Sequence, residues 1–174
     1  MELDHCGDSA YHLRVLVGLN FLSVKENAKI LNIGCGKGFW LYKFKKQLPN
    51  CSIAGIDISK YALENAKEEV RPYLKLGNAA KLDFPDKSFD FIFSHACLYN
   101  LRVGELFTAL KEIERVKKES GASWISLESY RNPEEQVNLQ CWSLTCRNFF
   151  DIEEWAWVFK SSGYRGDHEF FNFN

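Results

Sequence analysis

Three glycines at alternate positions, Gly34, Gly36 and Gly38, follow the apolar run at 30–33 (Ile-Leu-Asn-Ile). Asp57 closes a second apolar run 23 residues after Gly34. Glycines without side chains let the backbone turn sharply and approach a ligand closely. A helix opening behind them presents its positive N-terminal end to an anion, a carboxylate as readily as a phosphate. An acid at the tip of the next strand is placed to accept hydrogen bonds from both hydroxyls of a ribose. Together these features hold an adenosine-containing ligand at the carboxyl edge of a parallel sheet. The spacing is GxGxG rather than the GxGxxG of the dinucleotide fingerprint, so these residues alone leave the cofactor class open.

The elements that position these residues follow from periodicity. Residues 29–34 read as a first strand, and Phe39 to Leu48 as a helix stopped by Pro49. Residues 52–57 form a second strand, and Ser59 caps a helix from Lys60 to about Arg71, before Pro72. Short strands follow at 73–77 and 89–94, the latter apolar enough to lie inside the sheet. From Gly104 to Glu119, Leu106, Leu110, Ile113 and Val116 make one apolar stripe of a helix that Gly121 ends, and Ala122 to Leu127 is a fifth strand. Strand and helix thus alternate from 29 to 128, which implies an α/β, doubly wound, mostly parallel sheet with helices on both faces.

The flanks read differently. Residues 9–22 carry apolar positions 13, 16, 17 and 21 at helical spacing. Residues 130–136 are polar around Pro133 and read as a loop, and Val137 to Cys146 alternates enough to be a strand. Asp151 caps a helix with Ile152, Trp155, Val158 and Phe159 inward, Gly163 closes it, and 167–171 is a terminal strand. The expected organisation is one domain over 1–174: a helical cap at 1–28, a cofactor-binding core at 29–128 and a strand–helix–strand at 129–174.

The composition narrows the partners. With 46% hydrophobic and 26% charged residues, the chain is ordinary for a globular protein that needs no staples. A net charge of −1 gives no basic field for nucleic acid or an anionic membrane. The six cysteines form no CxxC and no zinc-ligand spacing with histidine, so no metal site is expected. Cys35, Cys51 and Cys97 read as small buried hydrophobes. Without a signal-peptide layout or a run of bilayer length, the expectation is a cytoplasmic protein with reduced thiols.

Residues 30–38 (Ile-Leu-Asn-Ile-Gly-Cys-Gly-Lys-Gly) resemble motif I of class I S-adenosylmethionine-dependent methyltransferases, usually V-L-D-I-G-C-G-T-G. Residues 53–58 are similar to the family's post-I segment. Residues 77–92 (Gly-Asn-Ala-Ala-Lys-Leu-Asp-Phe-Pro-Asp-Lys-Ser-Phe-Asp-Phe-Ile) closely follow G-D-A-x-x-L-P-F-x-D-x-S-F-D-x-V. The segment 110–126 resembles the helix, glycine turn and fifth strand beyond. The resemblance covers roughly 29–128 and is strongest to the branch that methylates quinones, sugars and other small molecules. A loose similarity of 142–170 to tails of bacterial methyltransferases points toward a sugar or cell-envelope metabolite.

The resemblance implies a Rossmann-like sheet of about seven strands, with S-adenosyl-L-methionine as cofactor and a small-molecule methyl acceptor. It assigns the methionine end of the cofactor to Gly34, Cys35 and Gly36, the ribose to Asp57, stacking on adenine to Ile58, and the adenine edge to Asn78 and Ala79. Ser94 and His95 would lie beside the sulfonium, with His95 and then Tyr99 as candidate bases, and Tyr11 or His12 as lid contributors. Asn32 and Asn78 stand where the family usually has acids, which implies weaker binding.

The same residues admit other readings. A histidine at a strand end is often structural, Tyr99 suits a pocket wall, and Trp155 suits the core stripe better than an acceptor site. The competing functions are a nicotinamide-dependent oxidoreductase on the same sheet and a non-catalytic S-adenosylmethionine-binding module or partner subunit. In the unusual C-terminal third, 137–146 is expected to supply an antiparallel strand and 167–171 the edge strand.

Overall fold

A computed structural model describes residues 24–171. The helix expected at 9–22, the cap as far as residue 23, and Tyr11 and His12 lie outside the described residues.

Six strands form one sheet in the order β3-β2-β1-β4-β5-β6, and every neighbouring pair is parallel. They are β1 (Lys29–Ile33), β2 (Ser52–Asp57), β3 (Leu74–Leu76), β4 (Phe89–His95), β5 (Lys117–Glu128) and β6 (Asp167–Phe171). The helices are α1 (Phe39–Gln47), α2 (Lys60–Glu64), α3 (Val103–Val116), α4 (Pro133–Trp142) and α5 (Ile152–Ser162). Strand order reverses between β1 and β4, so the carboxyl ends of β1, β2 and β4 open on a crevice where ligands of such sheets bind.

Both faces of the central strands are covered. On one face Ile30, Phe91, Phe93 and Trp124 pack with Leu41 and Phe44 of α1. On the other, Leu31, Ile33, Ile92, Ile125 and Leu127 meet Leu106, Leu110 and Ile113 of α3 and Trp155, Val158 and Phe159 of α5. The apolar stripes expected on α3 and α5 therefore face the sheet, except that Ile152, expected inward, is exposed at the start of α5; burial on both sides explains why β1 and β4 read as nearly continuous apolar runs.

Several expectations need correction. The strand proposed at 137–146 is α4 and the turn after it; no antiparallel strand joins the sheet among the described residues, and six strands stand where about seven were expected. The polar stretch read as a loop is that helix's start. Asn132 Oδ1 accepts from the Glu135 amide at 2.9 Å, Pro133 occupies the first turn, and Glu134 and Glu135 face the positive helix end. Few side chains of α4 are buried, so its apolar residues were under no pressure to repeat at helical spacing.

The helix expected at 60–71 stops at Glu64 and gives way to turns and a 3-10 turn at 71–73, although Ser59 caps it as expected, accepting from the Ala62 amide at 3.1 Å. Helix α3 ends at Val116 and β5 begins at once. Gly121 lies inside β5 beside the bulge opposite 89–91, where a Cβ would come within 3.0 Å of the Phe89 and Asp90 carbonyls.

The segment resembling the family's 77–92 pattern is fastened to α3 by Arg115. Its Nε donates to Glu112 Oε1 at 2.7 Å, its Nη1 to Phe84 O at 2.9 Å and Asp86 Oδ1 at 2.6 Å, and its Nη2 to Leu82 O at 2.9 Å and Glu112 Oε2 at 2.8 Å. Every guanidinium hydrogen is engaged, and Glu112 Oε2 in turn accepts from the Leu82 amide at 2.8 Å. A lysine cannot reproduce this planar fork. Arg115→Lys is expected to lower stability by about 2 kcal/mol, a fall of roughly 4–8 °C in thermal midpoint for a chain of this size. Thermal unfolding followed by circular dichroism checks it; an unchanged midpoint would show that the fork carries no net stability.

Candidate functional site

The glycine turn is drawn onto the tip of β2. The amides of Gly34 and Cys35 both donate to Ile56 O at 2.9 Å, and the Gly36 amide donates to Asp57 Oδ2 at 2.7 Å. The other carboxylate oxygen of Asp57 accepts from the Ser59 amide at 2.8 Å. One acid thus closes the turn after β1 and starts the turn into α2. The three consecutive amides that the sequence suggested for ligand contact are committed inside the protein. What the turn leaves to a ligand is room.

That room depends on the absent side chains. Gly34 has φ +74°, and a Cβ there would collide with Cys97 Sγ and lie 2.5 Å from Cys97 Cβ. Gly38 has φ +76°, and a Cβ there would sit 2.6 Å from Val70 Cγ2. Both positions combine a left-handed backbone with close packing, which glycine alone meets without strain.

A cavity of about 210 Å³ opens beside the turn. Gly34 lines it from the turn after β1, Ile56, Asp57 and Ile58 from the end of β2, Gly77 and Ala79 from the connection after β3, and Ala96, Cys97, Asn100 and Leu101 from the loop after β4. Ile58 is 73% exposed, an apolar plate at the mouth. The loop after β4 leaves the sheet through Ala96, which adopts φ +50° while its amide donates to Ser126 O at 3.0 Å. Asn148 then latches the loop: its Nδ2 donates to Leu101 O at 2.7 Å and Tyr99 O at 3.3 Å, and its amide to Tyr99 O at 3.1 Å. Thr145 Oγ1 adds a bond to Asn100 Oδ1 at 2.8 Å.

Two thiols border the turn. Burial, with the charge of Asp57 adding to it, pushes the Cys35 and Cys97 thiols up to about 12. They are neutral at physiological pH and pack as small apolar groups, without the thiolate a nucleophile needs.

The structure brings Gly34, Asp57, Ile58 and Ala79 together on the cavity wall. Cys35 is buried behind the turn, packed against Gly55, and Gly36 contributes its amide to Asp57. Asn78 is engaged locally, its Oδ1 accepting from the Ala80 amide at 2.8 Å. Ser94 is buried with its hydroxyl beside Cys97. His95 lies among aromatic rings, with centroids 5.4 Å from Trp40, 5.7 Å from Phe171 and 6.4 Å from Trp124, and is not part of the cavity wall. Asn32 is 1% exposed, and its Oδ1 makes no hydrogen bond among the described residues.

Tyr99, like His95, is not part of the cavity wall; it is buried and donates its hydroxyl to Glu128 Oε1 at 3.0 Å. Glu128 and Asn148 were missed from the sequence. Glu128 carried a legible signal, an acid closing an apolar strand just as Asp57 does, whereas Asn148 sits in an irregular segment with no periodicity to mark it.

Comparison with known proteins agrees with this architecture. Residues 31–125 match the family described as a methyltransferase domain. An uncharacterized methyltransferase of Schizosaccharomyces pombe is 33% identical over 110 residues, covering 56% of this chain and 39% of that protein. Demethylmenaquinone methyltransferase of Staphylococcus aureus is 36% identical over 105 residues, covering 58% of this chain and 43% of that protein. The alignments therefore span less than half the length of these curated relatives. The crystal structure of a SAM-dependent methyltransferase from Archaeoglobus fulgidus shares the fold with a TM-score of 0.73 at 19% identity, over 90% of this chain and 70% of that one. With the glycine turn, the strand-tip acid and the crevice between them in place, the chain belongs to the methyltransferase domain family, in its class I S-adenosylmethionine-dependent group.

Proposed function

We propose that this chain binds S-adenosylmethionine along the edge formed by β2, β1 and β4 and catalyses methyl transfer to a small-molecule acceptor. The observation that carries the reading is Asp57, a carboxylate aimed by two backbone amides and standing on the wall of the cavity. Each of its oxygens keeps a lone pair for a ribose hydroxyl. Ile58 offers a flat apolar contact for adenine, and Gly77 and Ala79 leave the ring edge unobstructed. Gly34 leaves space for the methionyl end next to Cys97.

The turn's internal hydrogen bonds also separate this cofactor from a dinucleotide. A pyrophosphate needs free amides at the glycine turn. Here the amides of Gly34, Cys35 and Gly36 already have acceptors, which suits a ligand without phosphates. S-adenosylmethionine supplies an activated methyl carbon with a good leaving group, so the chain's work is alignment of the acceptor and exclusion of water. The Staphylococcus aureus relative, a demethylmenaquinone methyltransferase, supports a small-molecule acceptor for this chain as well. No helix among the described residues is long and apolar enough to cross a membrane. A binding module without transfer activity is the second reading, favoured by Asn32 in place of the acid usual in motif I.

S-adenosylhomocysteine at a hundred times its dissociation constant should stabilise the protein by about 2.7 kcal/mol, while NAD should not shift the thermal midpoint. Asp57→Ala is expected to abolish that stabilisation; a shift with NAD alone would overturn the assignment. Incorporation of labelled methyl groups across an acceptor panel then separates the enzyme from the binding module. Gly34→Ala should remove binding and destabilise the fold by calorimetry. Adding Cys97→Gly should recover the steric part only, leaving about 1–2 kcal/mol from the left-handed backbone. Full recovery in the double variant would show that the backbone conformation at residue 34 is not strained.

A further inference from the structure

One acid at the sheet's carboxyl edge is not used by the cofactor reading. Glu128 ends β5, is 5% exposed, and forms no ion pair among the described residues. Its Oε1 takes the hydroxyl of Tyr99, itself 5% exposed, at 3.0 Å. Its Oε2 has no hydrogen bond of normal geometry, although the Ser143 hydroxyl lies near enough to favour the charged form. Burial nevertheless dominates and raises the carboxyl above its ordinary value. The other titratable groups acting on the pair are the thiols of Cys97 and Cys146, each pushed up by burial and so neutral. A buried carboxylate held by neutral donors adds little to stability, because its desolvation is not repaid by an opposite charge.

Position gives it a use. Along the edge the order is β2, β1, β4, β5, and the cavity runs from Asp57 at the tip of β2 to the loop after β4. A cofactor with its ribose at Asp57 and its methionyl end at Gly34 presents the methyl toward β4 and β5. Tyr99 belongs to the same loop as Cys97, Asn100 and Leu101, which wall the cavity on that side. Asn148 and Thr145 hold this loop in place, so the phenol and the cavity keep a fixed relation.

We propose that Tyr99 and Glu128 form a proton-accepting pair for a hydroxyl-bearing methyl acceptor, an inference that rests on the cofactor reading above. In the transfer step the acceptor oxygen bonds to the methyl carbon as the carbon–sulfur bond breaks, its electron pair passing to sulfur. The acceptor's hydroxyl proton moves to Tyr99 Oη while the phenolic proton moves to Glu128 Oε1. Glu128 ends neutral and returns the proton to solvent after product leaves. Tyr99 is the catalytic member, and Glu128 acts through it.

Wild type, Glu128→Gln and Tyr99→Phe are compared in three measurements: calorimetric binding of S-adenosylhomocysteine, carbon-13 titration of glutamate carboxyls in that complex, and labelled-methyl transfer to catechol, hydroquinone and methyl hexosides between pH 5 and 9. The expected result is unchanged S-adenosylhomocysteine binding in both variants, with transfer to a hydroxyl slowed by roughly 10²–10⁴-fold. The wild-type rate should rise with pH as Glu128 ionises, and Glu128→Gln should lose that limb. In Tyr99→Phe the Glu128 midpoint should move upward, because the phenol favours the carboxylate. If Glu128→Gln does not fold, Tyr99→Phe decides by its rate and by that shift. Equal rates and pH profiles, a Glu128 that titrates in the ordinary carboxylate range, or no methylated hydroxyl from a wild type that binds S-adenosylhomocysteine would each overturn the pair. Failure of the wild type to bind S-adenosylhomocysteine would instead overturn the cofactor reading beneath it.

Discussion

The carboxylate of Asp57 is the fastening on which the rest of the edge depends. It accepts the Gly36 amide across the gap between β1 and β2 and the Ser59 amide two residues ahead. Both turns that frame the crevice are therefore referred to a single side chain. Ionised acceptors make short, directional bonds to backbone amides, and at 2.7 and 2.8 Å these lie in that range. The same charge helps keep the neighbouring thiols of Cys35 and Cys97 protonated, so that the turn is lined by inert groups rather than nucleophiles. On the proposed reading a binding group and a structural group coincide in Asp57, so a residue that merely accepts from a ribose would not take over both tasks.

A second level of order holds the opposite wall. The loop after β4 has no regular structure beyond one 3-10 turn at 98–100, yet the Asn148 side chain and amide anchor it, and the Ala96 amide pairs with β5. The C-terminal third thus contributes more than an edge strand. It positions residues 96–101 against the cavity, while Arg115 fastens the connection at 82–86, which follows the lining residues Gly77 and Ala79, to α3. Side chains far from the crevice therefore set its dimensions.

Legibility in the sequence followed the strength of each physical constraint. Strands buried on both faces, such as β1 and β4, and helices with one dry stripe, such as α3 and α5, leave a pattern because each residue answers to the core. The glycine turn and Asp57 were readable because positive φ and a strand-tip acid narrow the residue choice. Helix α4 was misread because little of it is buried, and its start signal, Asn132-Pro133-Glu134-Glu135, resembles a loop in composition. The partnership of Tyr99 with Glu128 spans 29 residues and two elements, and no local pattern encodes such a distance. The internal use of the turn's amides was hidden for the same reason, since it depends on the register of β1 against β2.

That internal use decides how the crevice discriminates. Because Gly34, Cys35 and Gly36 have no amide hydrogen to lend, recognition beside the turn works as a mould, by refusing volume, and not by gripping particular atoms. On the proposed cofactor reading, such a mould senses the shape around the sulfur, its methyl group included, and not the charge of the sulfonium. Loaded and discharged cofactor would then be told apart beside the turn by the one methyl of volume in which they differ.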